Sequence, residues 1–128
     1  SDNDLGAEIK FVDWVNGGEY IQQQLGTNGS NIGRVFFWQR DGATSDSVSG
    51  AAYSPGINVP FSIASRHGST FINGAVDGTS LTTNTTPTAL PDLSATDFDI
   101  APTFMGNLGK LRVWAEDLGN DGIEEAST

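Results

Sequence analysis

The apolar residues of this chain recur in short runs that alternate with polar residues and are separated by turn-forming residues. A period of two is typical of half-buried strands, whereas helical spacing occurs only around Ile123. Asp121 and Glu124 are placed to cap that last turn. The pattern predicts a short terminal helix after strands at 8–15, 20–25, 32–39, 45–51, 59–66, 69–73, 98–100 and 104–114.

Dipeptides that favour tight turns separate several of these strands. Gly17-Gly18 is typical of a turn, and Asp41-Gly42 and Asn73-Gly74 are typical of hairpin connections, because glycine accepts a positive φ without steric cost. We therefore expect a turn at the first and a hairpin at each of the other two. The stretch 79–93 is rich in Thr and Pro, and it predicts a long surface connection or an irregular edge strand.

The alternation in the first strand assigns its side chains to two faces. Counting in steps of two places Ile9, Phe11 and Val15 on one face and Lys10 and Trp14 on the other. The apolar set predicts the buried face. Lys10 and Trp14 are then expected to point outward together.

The third and the last strands carry aromatic residues with different expected roles. Phe36 and Trp38 share a face of the third strand, which is apolar on both sides. In the last strand, Leu111 and Val113 are predicted to face the core, and Trp114 to pack under the terminal turn. Apolar outer faces such as that of Phe36 and Trp38 would suit a contact between subunits.

Composition limits the classes of partner. The 128 residues fit one domain, with a polar linker at 1–7 and a β-sandwich at 8–128. Sixteen acidic residues against six basic ones give a formal net charge of −10, which disfavours nucleic acid and anionic membranes. Cysteine is absent, so disulfides and thiolate metal sites are excluded. No apolar run is long enough to predict a membrane span.

Two motifs resemble those of a known family. Gly56 is followed by a strand of Phe-Ser-Ile-Ala-Ser-Arg type over 61–66 and then by Phe-Ile-Asn-Gly over 71–74. The chain ends in a Leu-x-Val-Trp strand and a short helix, with Leu111, Val113, Trp114, Leu118, Asp121, Ile123 and Glu124 at the matching places. This order resembles the concanavalin A-like lectin/glucanase jelly-roll domains found at the C-terminus of phage tail and virion proteins. The insertion of Gly119-Asn120 after Leu118 departs from that pattern.

The resemblance implies a fold, a location and a function. It implies an all-β, two-sheet antiparallel jelly-roll sandwich with a short C-terminal helical turn. It also implies a part of a phage-like virion, in a tail fibre, a tail or a head decoration, where other virion proteins would be partners. The expected function is non-catalytic binding of a polysaccharide on the host cell surface. A homo-oligomer, with a trimer favoured, is expected as well.

Catalytic and metal-binding motifs are weaker than their structural alternatives. Asp97-x-Asp99 lacks the third carboxylate of a retaining glycosidase motif, and His67 is the only histidine. The oxygen-bearing residues at 117–124 lack the order of an EF-hand loop, and calcium needs six or more converging oxygens. We therefore predict neither a catalytic nor a metal-binding residue. A glycosidase and a bound Ca²⁺ are the less favoured alternatives.

Sugar recognition combines an aromatic ring, on which the sugar stacks, with directional hydrogen bonds to hydroxyls. Amphipathic rings and amide side chains near strand ends are therefore the candidates. The predicted carbohydrate-binding residues are Trp14, Trp38, Tyr53, Arg66, His67, Asn28 and Asn73. The rival hypothesis is a structural domain that holds virion subunits together without binding sugar.

Overall fold

The computed structural model describes residues 9–27, 29–50, 59–103 and 106–128. Within these ranges the chain forms eight strands, one helix and a 3-10 turn at Gly29–Asn31. The strands are β1 (Ile9–Asn16), β2 (Glu19–Leu25), β3 (Val35–Asp41), β4 (Thr44–Ser49), β5 (Ile63–His67), β6 (Ile72–Val76), β7 (Thr79–Ser80) and β8 (Phe98–Ile100), and the helix is α1 (Gly119–Ala126).

The strands form two antiparallel sheets. The larger sheet has the order β4-β3-β2-β1-β8, and the smaller one has the order β5-β6-β7. Their facing sides enclose the apolar core, and α1 packs on the outer side of the smaller sheet. The prediction of an all-β sandwich with a short C-terminal helix is therefore confirmed. No helix in the described ranges has the length and apolar character needed to cross a bilayer.

The two sheets are in close contact where Phe37 of β3 faces Gly74 of β6. Phe37 is completely buried, and a Cβ atom on Gly74 would lie 2.0 Å from its ring. Gly74 therefore lies inside a strand, and the prediction of a hairpin turn at Asn73-Gly74 is wrong. The turn follows four residues later at Asp77-Gly78, where both residues have positive φ (46° and 78°). The glycine serves close sheet packing instead of a turn.

A β-bulge in β1 changes which side chains face the core. Lys10 pairs with Gln24 and Val12 with Gln23, so Phe11 is an extra residue against β2. Phe11 and Val12 are both buried, at 5% and 6% exposure. Beyond the bulge the even-numbered positions face inward. The prediction that Val15 shares the buried face while Trp14 points outward with Lys10 is therefore wrong.

Two strands begin later than the alternation predicts. The chain turns at 31–34, where the Arg34 amide donates to the Asn31 carbonyl and Gly33 has a φ of 76°. As a result β3 begins at Val35 instead of residue 32, although Ile32 continues the apolar run. Similarly β5 begins at Ile63 instead of residue 59. The short strand predicted at 98–100 is confirmed as β8.

The predicted last strand is absent from the structure over its described residues. Residues 106–118, which we call the arm, contain no strand, and every one of them is exposed. Leu111 is 40% exposed and Val113 is 75% exposed, so the prediction that they face the core is wrong. An alternating pattern shows that a segment can pair, but a strand forms only where a neighbouring strand is present. Trp114 is 46% exposed and lines a shallow groove of about 600 Å³ beside α1.

The start of α1 differs from the predicted cap. The helix begins at Gly119 after Leu118, and Asp117 accepts the Gly119 amide through Oδ1 at 3.0 Å. Asp121 lies inside the first turn and does not cap it. Glu124 accepts a short hydrogen bond from the Ser80 hydroxyl of β7, so it ties the helix to the small sheet. The helix thus begins earlier than the predicted cap at Asp121, and its N-cap residue, Leu118, makes no side-chain capping hydrogen bond.

Candidate functional site

The outer side of the five-stranded sheet carries two adjacent rows of side chains. Residues directly opposite each other in antiparallel strands share a face. The strand register thus aligns one row of Asp13, Gln22, Trp38 and Ser47, and a second row of Val15, Tyr20, Arg40 and Ser45. Since Phe37 faces the core, Trp38 faces outward. We call these eight residues the outer aromatic face.

The first row is held by a charge-assisted hydrogen-bond network. Gln22 Nε2 donates to Asp13 Oδ1 at 2.6 Å, and Lys10 Nζ donates to Asp13 Oδ2 at 3.0 Å. Both carboxylate oxygens are thereby engaged, and the amide of Gln22 is fixed in orientation. Its carbonyl oxygen Oε1 makes no hydrogen bond among the described residues. A fixed acceptor therefore lies beside the indole of Trp38.

The second row offers a hydroxyl and a cation. The Tyr20 hydroxyl is 3.2 Å from Ser45 Oγ, and the Arg40 guanidinium lies over the Tyr20 ring at 5.9 Å from its centroid. Arg40 Nε donates to the Gly42 carbonyl at 3.1 Å. The terminal nitrogens of Arg40 make no hydrogen bond to any described residue, so they can donate to a ligand. This row can supply both donors and acceptors to a polar ligand.

Trp38 stacks on its neighbour along the strand. The rings of Phe36 and Trp38 are 5.8 Å apart with an interplanar angle of 18°. Phe36 is 9% exposed, whereas Trp38 is only half-buried. The buried Phe36 therefore supports the indole from one side and leaves part of the Trp38 ring accessible. A partly exposed aromatic ring that is held by a stacked neighbour can serve as a stacking surface for a ligand.

Trp14 and His67 lie between the two sheets. Trp14 donates from Nε1 to the Thr96 carbonyl at 3.1 Å and packs edge to face on Phe98, 5.8 Å away. His67 Nε2 is 3.0 Å from Ser65 Oγ, and its Nδ1 is buried without a partner. Burial lowers the pKa of His67 to about 4, so the ring is neutral at neutral pH. Neither residue reaches the outer aromatic face.

Arg66 and Asn73 meet on the far side of the small sheet, beneath α1. Arg66 Nη1 and Asn73 Nδ2 both donate to Asn120 Oδ1, at 2.8 and 2.9 Å. Arg66 Nη2 pairs with Asp117 Oδ2 at 2.8 Å, and the guanidinium stacks on Phe71 at 4.0 Å. This anchor network joins α1 to β5 and β6. It uses the groups through which both residues would contact a sugar.

The predicted carbohydrate-binding residues are thus spread over three layers. Trp38 lies on the outer aromatic face, Trp14 and His67 lie between the sheets, and Arg66 and Asn73 lie under the helix. Asn28 and Tyr53 lie outside the described residues. The structure brings Arg66 and Asn73 together, but it separates both of them from Trp38 by the thickness of the sandwich.

The acidic residues weighed as catalytic or metal-binding groups do not converge. Asp99 of β8 lies directly opposite Asp13 of β1 in the strand register, and Asp97 is exposed at the same edge of the sheet. Asp117, Asn120 and Glu124 are engaged in the contacts that anchor α1. Within the described ranges, no three His, Asp or Glu side chains are gathered so that they could hold a metal ion.

Three residues of the outer aromatic face are not among the predicted carbohydrate-binding residues: Tyr20, Gln22 and Arg40. Their own strands show the correct parity, since Tyr20 and Gln22 alternate and Arg40 follows Trp38 by two. What the sequence lacked was the register that aligns them across strands.

No family model, curated protein or solved structure matches this chain.

Proposed function

We propose that this domain binds carbohydrate without catalysis, and that the outer aromatic face is the binding surface. The observation that carries this proposal is the half-buried Trp38 ring on the outer side of the sheet, stacked on Phe36 and beside the fixed amide of Gln22. A pyranose ring presents a C–H face for stacking and hydroxyls at its rim. The two rows supply a stacking surface and hydrogen-bonding groups within one plane.

The electrostatics of this surface suit a neutral or acidic glycan. Asp13 is neutralised by Lys10, and Arg40 adds a positive charge beside Tyr20. The rest of the chain is acidic, with a net charge of −10. A cation at the binding surface would attract a charged sugar locally, although the molecule as a whole repels polyanions.

The biological setting that we propose comes from the sequence resemblance. A phage-like virion protein would use such a face for adhesion to polysaccharide on the host cell surface. The motifs at 56–74 and 111–124 support that setting, and the outer aromatic face supports the binding.

Replacement of Trp38 tests the proposed function. A glycan array first identifies a saccharide, and titration calorimetry with its soluble oligosaccharide then gives the dissociation constant. We expect Trp38→Ala to weaken binding at least about 10-fold, because about 1.4 kcal/mol of stacking energy corresponds to that factor. Trp114→Ala, which removes an exposed tryptophan outside this face, is the matched control and should bind normally.

Two results would contradict the sugar-binding proposal. The first is a folded wild-type domain that binds no glycan at millimolar concentration. The second is equal affinity of the Trp38→Ala and wild-type proteins. Thermal unfolding of both variants shows whether a loss of binding reflects a loss of the fold.

A structural role in a virion, without sugar binding, is the second candidate function. It is favoured by the arm, which holds five of the nine exposed large apolar side chains in the described ranges: Leu108, Leu111, Val113, Trp114 and Leu118. Contiguous exposed apolar surface on a soluble domain commonly marks a protein contact. This candidate predicts a stable oligomer with no saccharide affinity, and mass measurement together with the glycan array distinguishes it.

A further inference from the structure

The arm combines strand-like alternation with complete exposure. Leu111 and Val113 alternate with Lys110, Arg112 and Trp114, and all five are exposed. The Lys110 and Arg112 side chains form no hydrogen bond or ion pair among the described residues. They are two of only six basic residues in the chain. Residues 108–114 of the arm therefore form a cationic segment with strand-like alternation that lacks a strand partner in the described structure.

The free edge of β8 has the complementary pattern. β8 lies at the end of the five-stranded sheet and pairs on one side with β1, so its other edge has no strand partner in the described structure. Asp97 and Asp99 are exposed there, and their carboxylates form no ion pair with any described residue. Phe98 and Ile100 alternate with them, and Ile100 is 47% exposed. An unpaired, partly apolar edge strand is a template for strand addition.

Charge and side-chain parity select one antiparallel register. When Arg112 lies beside Asp97 and Lys110 beside Asp99, Leu111 lies beside Phe98 on the opposite face. Both carboxylates then meet a cation, and apolar side chains meet on the side that faces the core. A shift by one residue places the cations against Phe98 and Ile100 instead.

The position of α1 prevents the arm from reaching its own β8 in this register. Asp117 is bonded to Arg66 on the outer side of the small sheet, whereas β8 belongs to the large sheet. Packed sheets lie about 10 Å apart, and the helix layer lies beyond the second sheet. The three residues from Trp114 to Asp117 extend at most about 10 Å, so pairing within one chain would release the anchor of α1. A second copy has no such constraint.

We propose that residues 108–114 of one copy add as an antiparallel strand to the free edge of β8 in a second copy. Reciprocal exchange of the two arms builds a symmetric dimer with two such contacts. Each contact extends a five-stranded sheet to six strands and places Leu111 and Val113 on the face that turns toward the core. This interface is independent of the sugar-binding proposal, because it lies at the sheet edge and leaves Trp38 accessible.

Charge reversal on each side of the contact tests the exchange. Sedimentation velocity should give the wild-type protein twice the 13.5 kDa mass of one chain. The variant with Lys110→Glu and Arg112→Glu should be monomeric, and so should the variant with Asp97→Lys and Asp99→Lys. An equimolar mixture of these two variants should restore the dimer, because each arm then meets an edge of opposite charge. Glu19→Lys with Asp41→Lys alters charge elsewhere and should leave the dimer intact.

Cysteine pairing gives a second measurement that does not depend on the charge variants. The chain contains no cysteine, so Lys110→Cys and Asp99→Cys can be made as separate proteins. A mixture under oxidising conditions should form the disulfide-linked heterodimer in preference to either homodimer. The proposal is overturned by a monomeric wild-type protein at 100 µM, by oligomers that persist in both charge-reversed variants, or by cysteine mixtures that form no selective heterodimer.

Discussion

At the scale of single residues, Gly74 allows close contact between the two sheets at Phe37. The dipeptide Asn73-Gly74 predicted a turn. The structure instead requires glycine at position 74 because any side chain there would collide with the ring of Phe37. Local dipeptide preferences did not reveal this contact, because Phe37 and Gly74 are distant in sequence. The turn residue that does match its preference is Gly78, with a φ of 78°.

Replacement of Gly74 should destabilise the domain. A methyl group would lie 2.0 Å from Phe37, and such overpacking typically costs about 1–3 kcal/mol. We expect Gly74→Ala to lower the free energy of unfolding in urea by that amount. Gly109→Ala, in the arm, has no atom within 4 Å of its added carbon and should change the stability little. If the core contact is the cause, Phe37→Leu should offset part of the loss.

His67 should make stability depend on pH. Its pKa is about 6.5 in the unfolded chain, and burial lowers it to about 4 in the folded protein. As the pH falls from 6.5 to 4, the unfolded state therefore binds a proton that the folded state does not. His67 therefore makes its full contribution to the free energy of unfolding above pH 6.5. Acidification toward pH 4 lowers that free energy by about 2–3 kcal/mol.

Urea unfolding at pH 7.5 and pH 5 measures this dependence. The carboxylates also make the free energy of unfolding depend on pH. The His67→Gln variant keeps their effect and lacks only that of the histidine, so it serves as the reference. We expect the wild-type protein to lose more stability than His67→Gln between the two pH values. Equal losses would show that the ring is accessible to protons in the folded state.

At the scale of elements, α1 is held by polar contacts in addition to the burial of Ile123. Asn120 accepts from Arg66 and from the fully buried Asn73, and Ser127 Oγ accepts the Gly78 amide at 3.0 Å. The sequence predicted a helix near Ile123 but not what it packs against. Its partners lie more than forty residues earlier, and capping patterns contain no information about such distant contacts.

Removal of the shared acceptor should loosen this helix. Asn120→Ala leaves Arg66 Nη1 and the buried Nδ2 of Asn73 without their partner, which costs about 1–3 kcal/mol. We expect faster amide hydrogen exchange in α1, with smaller changes in β1–β3. Glu125→Ala, on the exposed side of the same helix, is the control and should exchange like the wild type. Unchanged protection in Asn120→Ala would show that the hydrogen bonds of Asn120 do not anchor the helix.

At the scale of the whole molecule, the all-β class was accessible from the sequence because several strands carry their own alternation, whereas the two-sheet arrangement was implied by the family resemblance. β2, β4 and β8 were predicted within one or two residues at their described ends. The composition of the outer aromatic face was not accessible in the same way. Trp38 could be placed on an outer face from the pattern of its own strand. That Gln22 and Arg40 lie beside it depends on the register between strands, which the pattern of a single strand does not contain. The arm failed as a strand prediction because pairing requires an available edge as well as a suitable pattern.

The bulge at Phe11 has a consequence for comparing this chain with others. Up to Lys10 the odd positions of β1 face inward, and from Val12 onward the even positions do so. A related strand without the extra residue would align in phase on only one side of Phe11. A correct alignment therefore needs a one-residue gap there. Without it, the core positions of one protein would be matched to the surface positions of the other, and real similarity across β1 would be lost from the score.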